Sequence, residues 1–347
     1  MGSESKFLHI TSESDLRTMH LSHQSFYSEY HGHKEKDLRI LSEFLRSNNG
    51  VGGSRPGIYL AGDSSLDNKF WFQDTAAAVN GYEDIIKPPN MKQDIAYWLN
   101  NELKHRGVDQ FCINCAVEES SIGSRACCRL LPQDKVIRDT ITEEDILVVS
   151  VGGNDIVLKP TLCTILSTLA LTCCTTNQCV EASCGCALPC DDYVCGCGCG
   201  FLSNFLGFPC GYGYFLHLFG TRIQSYVDRL TSKRRPKIIV ICMIYYPDEA
   251  RGQSWAEAGL SALGYNNNPS KLQSLIDRVF EDATQKIQIK GSRVIGVPLS
   301  KALNGKTTAD YSARVEPSAK GGEKMAKLIL DALLWGDKIG AGSDNAT

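Results

Sequence analysis

Five short apolar runs, each bounded by Gly, Pro, Asp or Asn and each followed by a helix-length stretch, constrain this chain more than any other feature. They fall at Gly57 to Gly62, Asp109 to Ala116, Asp145 to Val151, Ile238 to Ile244 and Arg293 to Val297. Runs without polar alternation belong to strands buried on both faces. Amphipathic spacing between them, as with Leu38, Leu41, Phe44 and Leu45, predicts helices over 35–46, 91–103, 123–131, 214–230, 269–289 and 320–335. Strands alternating with helices predict an α/β fold of three layers, a five-stranded mainly parallel sheet with helices on both faces.

Two of these runs end in residues capable of chemistry. The first stops at Gly62-Asp63-Ser64-Ser65 and the third at Gly152-Gly153-Asn154-Asp155. Sites in open α/β sheets form outside the carboxyl ends of the strands. Taken singly, Gly, Asp, Ser and Asn are ordinary turn residues. Together they supply a hydroxyl nucleophile, Ser64, and an amide that donates hydrogen bonds and cannot ionise, Asn154. Acyl transfer needs both, because the oxygen of the tetrahedral intermediate becomes negative and must meet donors.

The strand-GDS turn followed by the strand-GxND turn resembles the SGNH (GDSL-type) hydrolase and esterase family, and the resemblance covers roughly Gly52 to Trp335 apart from an insertion. It implies an SGNH-hydrolase or flavodoxin-like sheet. It also implies cleavage of carboxylic esters by Ser64, with the oxyanion held by the Ser64 N–H, the Asn154 side chain and the backbone of the turns at Gly152 and Glu119. No cofactor is implied for catalysis. The substrate class it implies is a small-molecule or lipid ester.

The chain departs from that family in two places. Where a glycine donor is wanted, the run is Val117-Glu118-Glu119-Ser120-Ser121-Ile122-Gly123, so that Glu119 takes the glycine position unless Gly123 serves instead. The late Asp-x-x-His-Pro block aligns with Ala313-Arg314-Val315-Glu316-Pro317, and no histidine follows His217. Glu316 thus stands at the base position and Ala313 at that of the orienting acid. Three readings stay open: a Ser–Glu dyad, a helix-capping glutamate in a catalytically impaired binding or scaffold protein, or a histidine such as His217 recruited from elsewhere.

A net charge of −3 with mixed signs gives no footprint for nucleic acid. No apolar run is long enough to span a membrane and no secretory signal is evident, so a cytoplasmic location is expected. Sixteen cysteines strain that expectation; Cys163, Cys173, Cys174, Cys179, Cys184, Cys186, Cys190, Cys195, Cys197, Cys199 and Cys210 crowd into one segment rich in Gly. Its irregular Cys-x-Cys spacing fits no standard finger. Zinc in thiolate clusters, disulfides, and lipidated cysteines making a weak membrane contact are the readings left open, and the segment is expected to flank the site as a lid. Five of the seven histidines (His9, His20, His23, His31, His33) sit in the first 34 residues without a ligand spacing, which predicts a solvated or partly ordered arm. Phe70-Trp71-Phe72 fits an acyl pocket and ordinary core equally. The expected layout is an arm and helix at 1–50, a hydrolase-like domain at 51–336 interrupted by the Cys-rich insertion at 159–213, and a tail at 337–347.

Overall fold

The computed structural model describes residues 20–47, 54–126, 129–158, 211–252 and 254–339; the readings made for 159–210, and those for His9 and the tail from 340, lie outside the described residues. Five parallel strands, β1 (Gly57–Gly62), β2 (Phe111–Asn114), β3 (Ile146–Ser150), β4 (Ile238–Met243) and β5 (Arg293–Pro298), form one sheet in the order β2-β1-β3-β4-β5. This is the flavodoxin-like order, in which the chain reverses direction across the sheet beside β1 and β3. Gly62 at the end of β1 pairs with Ser150 at the end of β3, so the two turns that follow start side by side.

Successive side chains of a strand point to opposite faces, and both faces are apolar here. Tyr59, Ala61, Leu147, Val149, Ile239 and Ile241 face one core, which α1 (Glu35–Ser47), α3 (Pro132–Thr140), α6 (Ile223–Leu230) and α7 (Pro269–Asp282) cover. Ile58, Leu60, Ile146, Val148 and Val240 face the other, covered by α2 (Ile95–His105) and α8 (Ala319–Ile339). Between β3 and β4 lie the short α4 (Gly153–Val157), and α5 (Tyr212–Leu216), which runs through a π-turn at His217–Arg222 into α6.

Two expectations are corrected. Residues 20–34 are not a solvated arm: Leu21–Ser22 pairs with Ile86–Lys87, and Phe26 is buried with His33 stacked on it at 4.0 Å between ring centroids. The imidazole Nδ1 of His33 also lies 2.7 Å from the Phe26 carbonyl, so stacking and this polar contact both hold the ring. Among the described residues of the helix expected over 123–131 there is a single 3₁₀ turn, Gly123–Arg125, and an α-helix starts at Pro132, where the missing N–H costs nothing.

That displacement frees Arg125 to enter the core. Fully buried, its guanidinium donates to Asp134 Oδ2 (3.0 Å), Ser120 Oγ (2.8 Å), the Ser121 carbonyl (3.2 Å) and the Gly62 carbonyl (2.9 Å). Removing one member of a buried pair leaves the other charged and unpaired, at about 3–5 kcal/mol. Arg125→Met is therefore expected to lose stability on that scale in urea unfolding; a loss of less than about 1 kcal/mol, within the range of a surface pair, would refute the role given to it.

Candidate active site

The turn after β1 is set by close approach. Gly62 has φ +150°, and a Cβ there would lie 1.7 Å from the Ser150 carbonyl oxygen, so no other residue lets β3 come so near. Asp63 then folds back, its buried carboxylate accepting from Ser65 N–H (3.1 Å), Ser65 Oγ (2.8 Å) and, across the sheet, Gly152 N–H (3.1 Å). Burial lifts its pKa to about 6 against these donors. One carboxylate thus ties the turn bearing Ser64 to the turn bearing Asn154.

Beyond Gly152, at φ +122°, α4 carries Asn154 and Asp155. Asn154 Nδ2 donates to the Ser120 carbonyl at 2.9 Å, and an amide nitrogen carries a second hydrogen. The Asp155 carboxylate accepts from the N–H groups of Ile122 (2.7 Å) and Gly123 (2.9 Å). Ser64, Asn154 and Glu316 line one pocket of about 520 Å³, with Tyr245, Val315 and Trp255 among its other walls. Ser64 Oγ donates to Glu316 Oε1 at 3.3 Å. This is longer than the usual O–H···O distance of about 2.7–2.8 Å. Catalytic hydrogen bonds are often loose before substrate binds. No acceptor among the described residues takes the Ser64 N–H.

The remaining sequence candidates divide. Gly152 gives its N–H to Asp63 and so holds the turn instead of meeting an oxyanion. Glu119 adopts φ +58°, the left-handed conformation a glycine would take, while its carboxylate accepts from Tyr30 OH at 3.0 Å. Gly123 is no substitute, since its N–H is engaged by Asp155. Asp310 is held by Lys324 at 2.6 Å, and the Ala313 carbonyl accepts from Ser254, so neither orients Glu316. His217 is buried in the π-turn and does not line the Ser64 pocket.

Sequence reading passed over Glu118. It is 3% exposed, as Glu316 is 2%, and each has one carboxylate oxygen, Oε2, with no partner. Burial raises both carboxyls well above the ordinary glutamate range; for Glu316 the charge of Asp63 adds to burial and the Ser64 donor opposes it, and for Glu118 the charges of Glu316 and Asp67 add. The signal was an acid four residues past the end of a buried strand, Phe111–Asn114.

A second, apolar cleft of about 850 Å³ adjoins the pocket, lined by Ile156, Phe215, Phe219, Leu260, Leu272 and Leu275 among others. Gly153, Val157, Ile244, Tyr245 and Pro247 form walls of both. Among the described residues no group of three or more His, Cys, Asp or Glu is placed to hold a metal ion, and no helix is long and apolar enough to cross a membrane.

No family model and no curated protein matches the sequence. Solved structures similar to this chain include an extracellular lipase from Streptomyces rimosus (10% identity, TM-score 0.41, covering 80% of this chain and 99% of that one). A carbohydrate esterase family 3 protein from Talaromyces cellulolyticus is 11% identical at TM-score 0.39, covering 82% and 99%. An acetyl xylan esterase from Geobacillus stearothermophilus is 12% identical at TM-score 0.40, covering 80% and 94%.

The elevated carboxyl of Glu316 has a consequence for stability. A carboxyl whose native pKa exceeds its unfolded value of about 4.3 contributes stability that is complete below that value and lost as pH rises through the native one. Glu316→Gln removes this loss. Its unfolding free energy relative to wild type is expected to improve between pH 5 and pH 9, by about 1.4 kcal/mol for each pH unit separating the native from the unfolded value. Equal differences at the two pH values would show that Glu316 titrates normally.

Proposed function

We propose that this chain hydrolyses carboxylic esters through Ser64, with Glu316 as its base. The observation that carries the reading is the hydrogen bond from Ser64 Oγ to Glu316 inside the pocket that Asn154 also lines. Ionised Glu316 takes the hydroxyl proton as Oγ bonds to the ester carbonyl carbon. The carbonyl oxygen becomes an oxyanion facing the Ser64 N–H and the second Nδ2 hydrogen of Asn154. Collapse expels the alkoxide, which receives the proton from Glu316, and leaves an acyl-serine. Water then repeats the sequence and frees the acid.

A glutamate at its reference pKa of about 4.3 is a poor base at neutral pH. Brønsted behaviour favours a base whose pKa lies near the working pH, and burial moves Glu316 in that direction. The apolar cleft beside the pocket supports an acyl group as the part of the substrate it receives, since its lining offers dispersion contacts and little else.

Ser64→Ala is expected to abolish turnover of a reactive aryl ester. Asn154→Ala is expected to lower kcat about a hundredfold to a thousandfold, the loss typical of an oxyanion donor. Glu316→Gln is expected to lower it about a hundredfold to ten-thousandfold, as for a general base. Glu316→Gln with full activity while Ser64→Ala is dead would remove Glu316 from the mechanism.

A second reading, a binding protein that has kept the fold without the chemistry, is favoured by one observation. Glu316 lacks the orienting acid a triad would have, because Asp310 is engaged by Lys324. Covalent labelling by a serine-directed phosphonate separates the two, since only an activated hydroxyl reacts fast. Labelling of wild type but not of Ser64→Ala supports the hydrolase; no labelling over hours supports the binding protein.

A further inference from the structure

The Ser64 pocket and the apolar cleft beside it meet at one set of residues, Gly153, Val157, Ile244, Tyr245 and Pro247, which line both. Val157, Ile244 and Pro247 are wholly apolar. Gly153 has no side chain, and a Cβ placed there would meet Ile244 Cγ2 at 3.8 Å, an ordinary contact. Tyr245 donates its hydroxyl to the Val315 carbonyl at 2.6 Å, so its hydrogen is already engaged. Beyond this junction the walls come from α4, α5 and the π-turn, the short helix Glu257–Ala262, and α7, and Lys271 is the one charged residue in them. A junction of this composition favours an alkyl chain over a polar group, which would give up its water there without compensation.

The other rim of the Ser64 pocket is of a different kind. Trp255, 41% exposed, lines that pocket and not the cleft. Its backbone is fixed from both sides: Ser254 Oγ donates to the Ala313 carbonyl and accepts from the Ala256 N–H at 3.1 Å, and Ala256 is buried. In acyl transfer through a serine the alcohol departs first, while the acyl half stays on the hydroxyl oxygen until water removes it. The half that stays suits the apolar cleft, and the half that must leave suits the exposed rim at Trp255. Val157, at the junction, is held in place by its neighbour. A Cβ on Gly259 would lie 2.9 Å from Val157 Cγ1, so the short helix comes as near as a glycine allows, and Gly259 itself lines neither cavity. A β-branched side chain has little rotamer freedom with which to move aside.

We propose that the substrate is an ester of a medium-length unbranched acyl chain, which runs from the Ser64 pocket across the junction into the cleft, and that Val157, held by Gly259, sets how much chain can pass. This rests on the esterase reading of Ser64 and names the acyl half of its substrate. An acetyl group leaves the cleft empty, whereas each methylene that enters it moves apolar surface out of water. Val157 and Gly259 therefore act on the choice of substrate and not on the bond-breaking step.

The test varies one half of the ester at a time in the full chain. Across ethyl acetate, butanoate, hexanoate and octanoate, kcat/KM is expected to rise about fourfold for each methylene that enters the cleft, the rate equivalent of about 0.8 kcal/mol. Across ethyl, butyl, hexyl and octyl acetate it is expected to stay flat. A rise with the alcohol half and none with the acyl half would overturn the assignment. Val157→Phe is expected to lower the ratio of octanoate to acetate rates by about tenfold or more, since more than one methylene is then kept out, and Gly259→Ala to lower it by less. An unchanged ratio in Val157→Phe, whatever the absolute rates, would overturn the role of Val157. A second arm needs no turnover: NMR of Ser64→Ala with labelled Ile, Leu and Val methyl groups. Ethyl octanoate is expected to shift the methyl resonances of Leu260, Leu272 and Leu275, and ethyl acetate to leave them in place. Octanoate that shifts none of them would reject the cleft as the chain site. Octanoate bound there in a protein whose wild type cleaves no ester would keep the chain site and reject the esterase reading alone; turnover independent of acyl length would do the reverse.

Discussion

The carboxylate of Asp63 is the contact on which the arrangement of the site depends. Strands β1 and β3 end beside each other, but adjacency of strands does not fix the relative attitude of the two turns that leave them. Asp63 does, by gathering two donors from its own turn and the Gly152 N–H from the other. The approach it spans is possible because Gly62 has no Cβ to meet Ser150. Arg125 completes the frame by holding the Gly62 carbonyl and Ser120 together, and Ser120 in turn presents its carbonyl to Asn154. Ser64 itself contributes nothing to this frame, so its hydroxyl is left for Glu316.

How far the sequence could be read follows from the range of the forces involved. Strand positions were legible because burial on both faces demands unbroken apolar runs, and all five runs became strands within two residues of their expected ends. The glycine-terminated turns were legible because backbone strain restricts which residues can occupy them. Reading failed where a tertiary contact overrode local pattern. The helix expected over 123–131 yields to Arg125, whose four hydrogen bonds require it to leave helical geometry and point inward. The arm at 20–34 looked polar, yet Leu21, Phe26 and Tyr27 are enough to dock it, and Tyr30 then reaches Glu119.

Burying several acids around one hydroxyl opposes folding. Each orphaned carboxylate oxygen forfeits about 1–3 kcal/mol relative to a satisfied one, and the elevated carboxyls make the native state progressively less favoured as pH rises. The fold tolerates this because the cost is local while its support is spread over two apolar cores. The sheet is sealed by α1, α3, α6 and α7 on one face and by α2 and α8 on the other, and none of these helices ends on Glu118 or Glu316. Strain of this kind, held by a rigid surround, is characteristic of sites and not of structural turns.

On the proposed reading, a glutamate base asks of the rest of the site something other than what a histidine base asks. An imidazole near pH 7 is already a competent base and needs an acid only to orient it and to balance the positive charge it acquires. A carboxylate acquires no positive charge; it begins negative and becomes neutral on taking the proton. An ionised acid beside it therefore does the opposite of what it does for histidine, disfavouring the resting state and raising basicity. Asp63, fixed for a structural reason, supplies that effect for Glu316 without touching it. What a carboxylate base still requires is a neutral donor to set its direction, and an ionised aspartate at the position of Ala313 could not serve. On the proposed reading, alanine at position 313 is thus coherent with glutamate at 316, since a carboxylate base and an imidazole base call for partners of opposite charge.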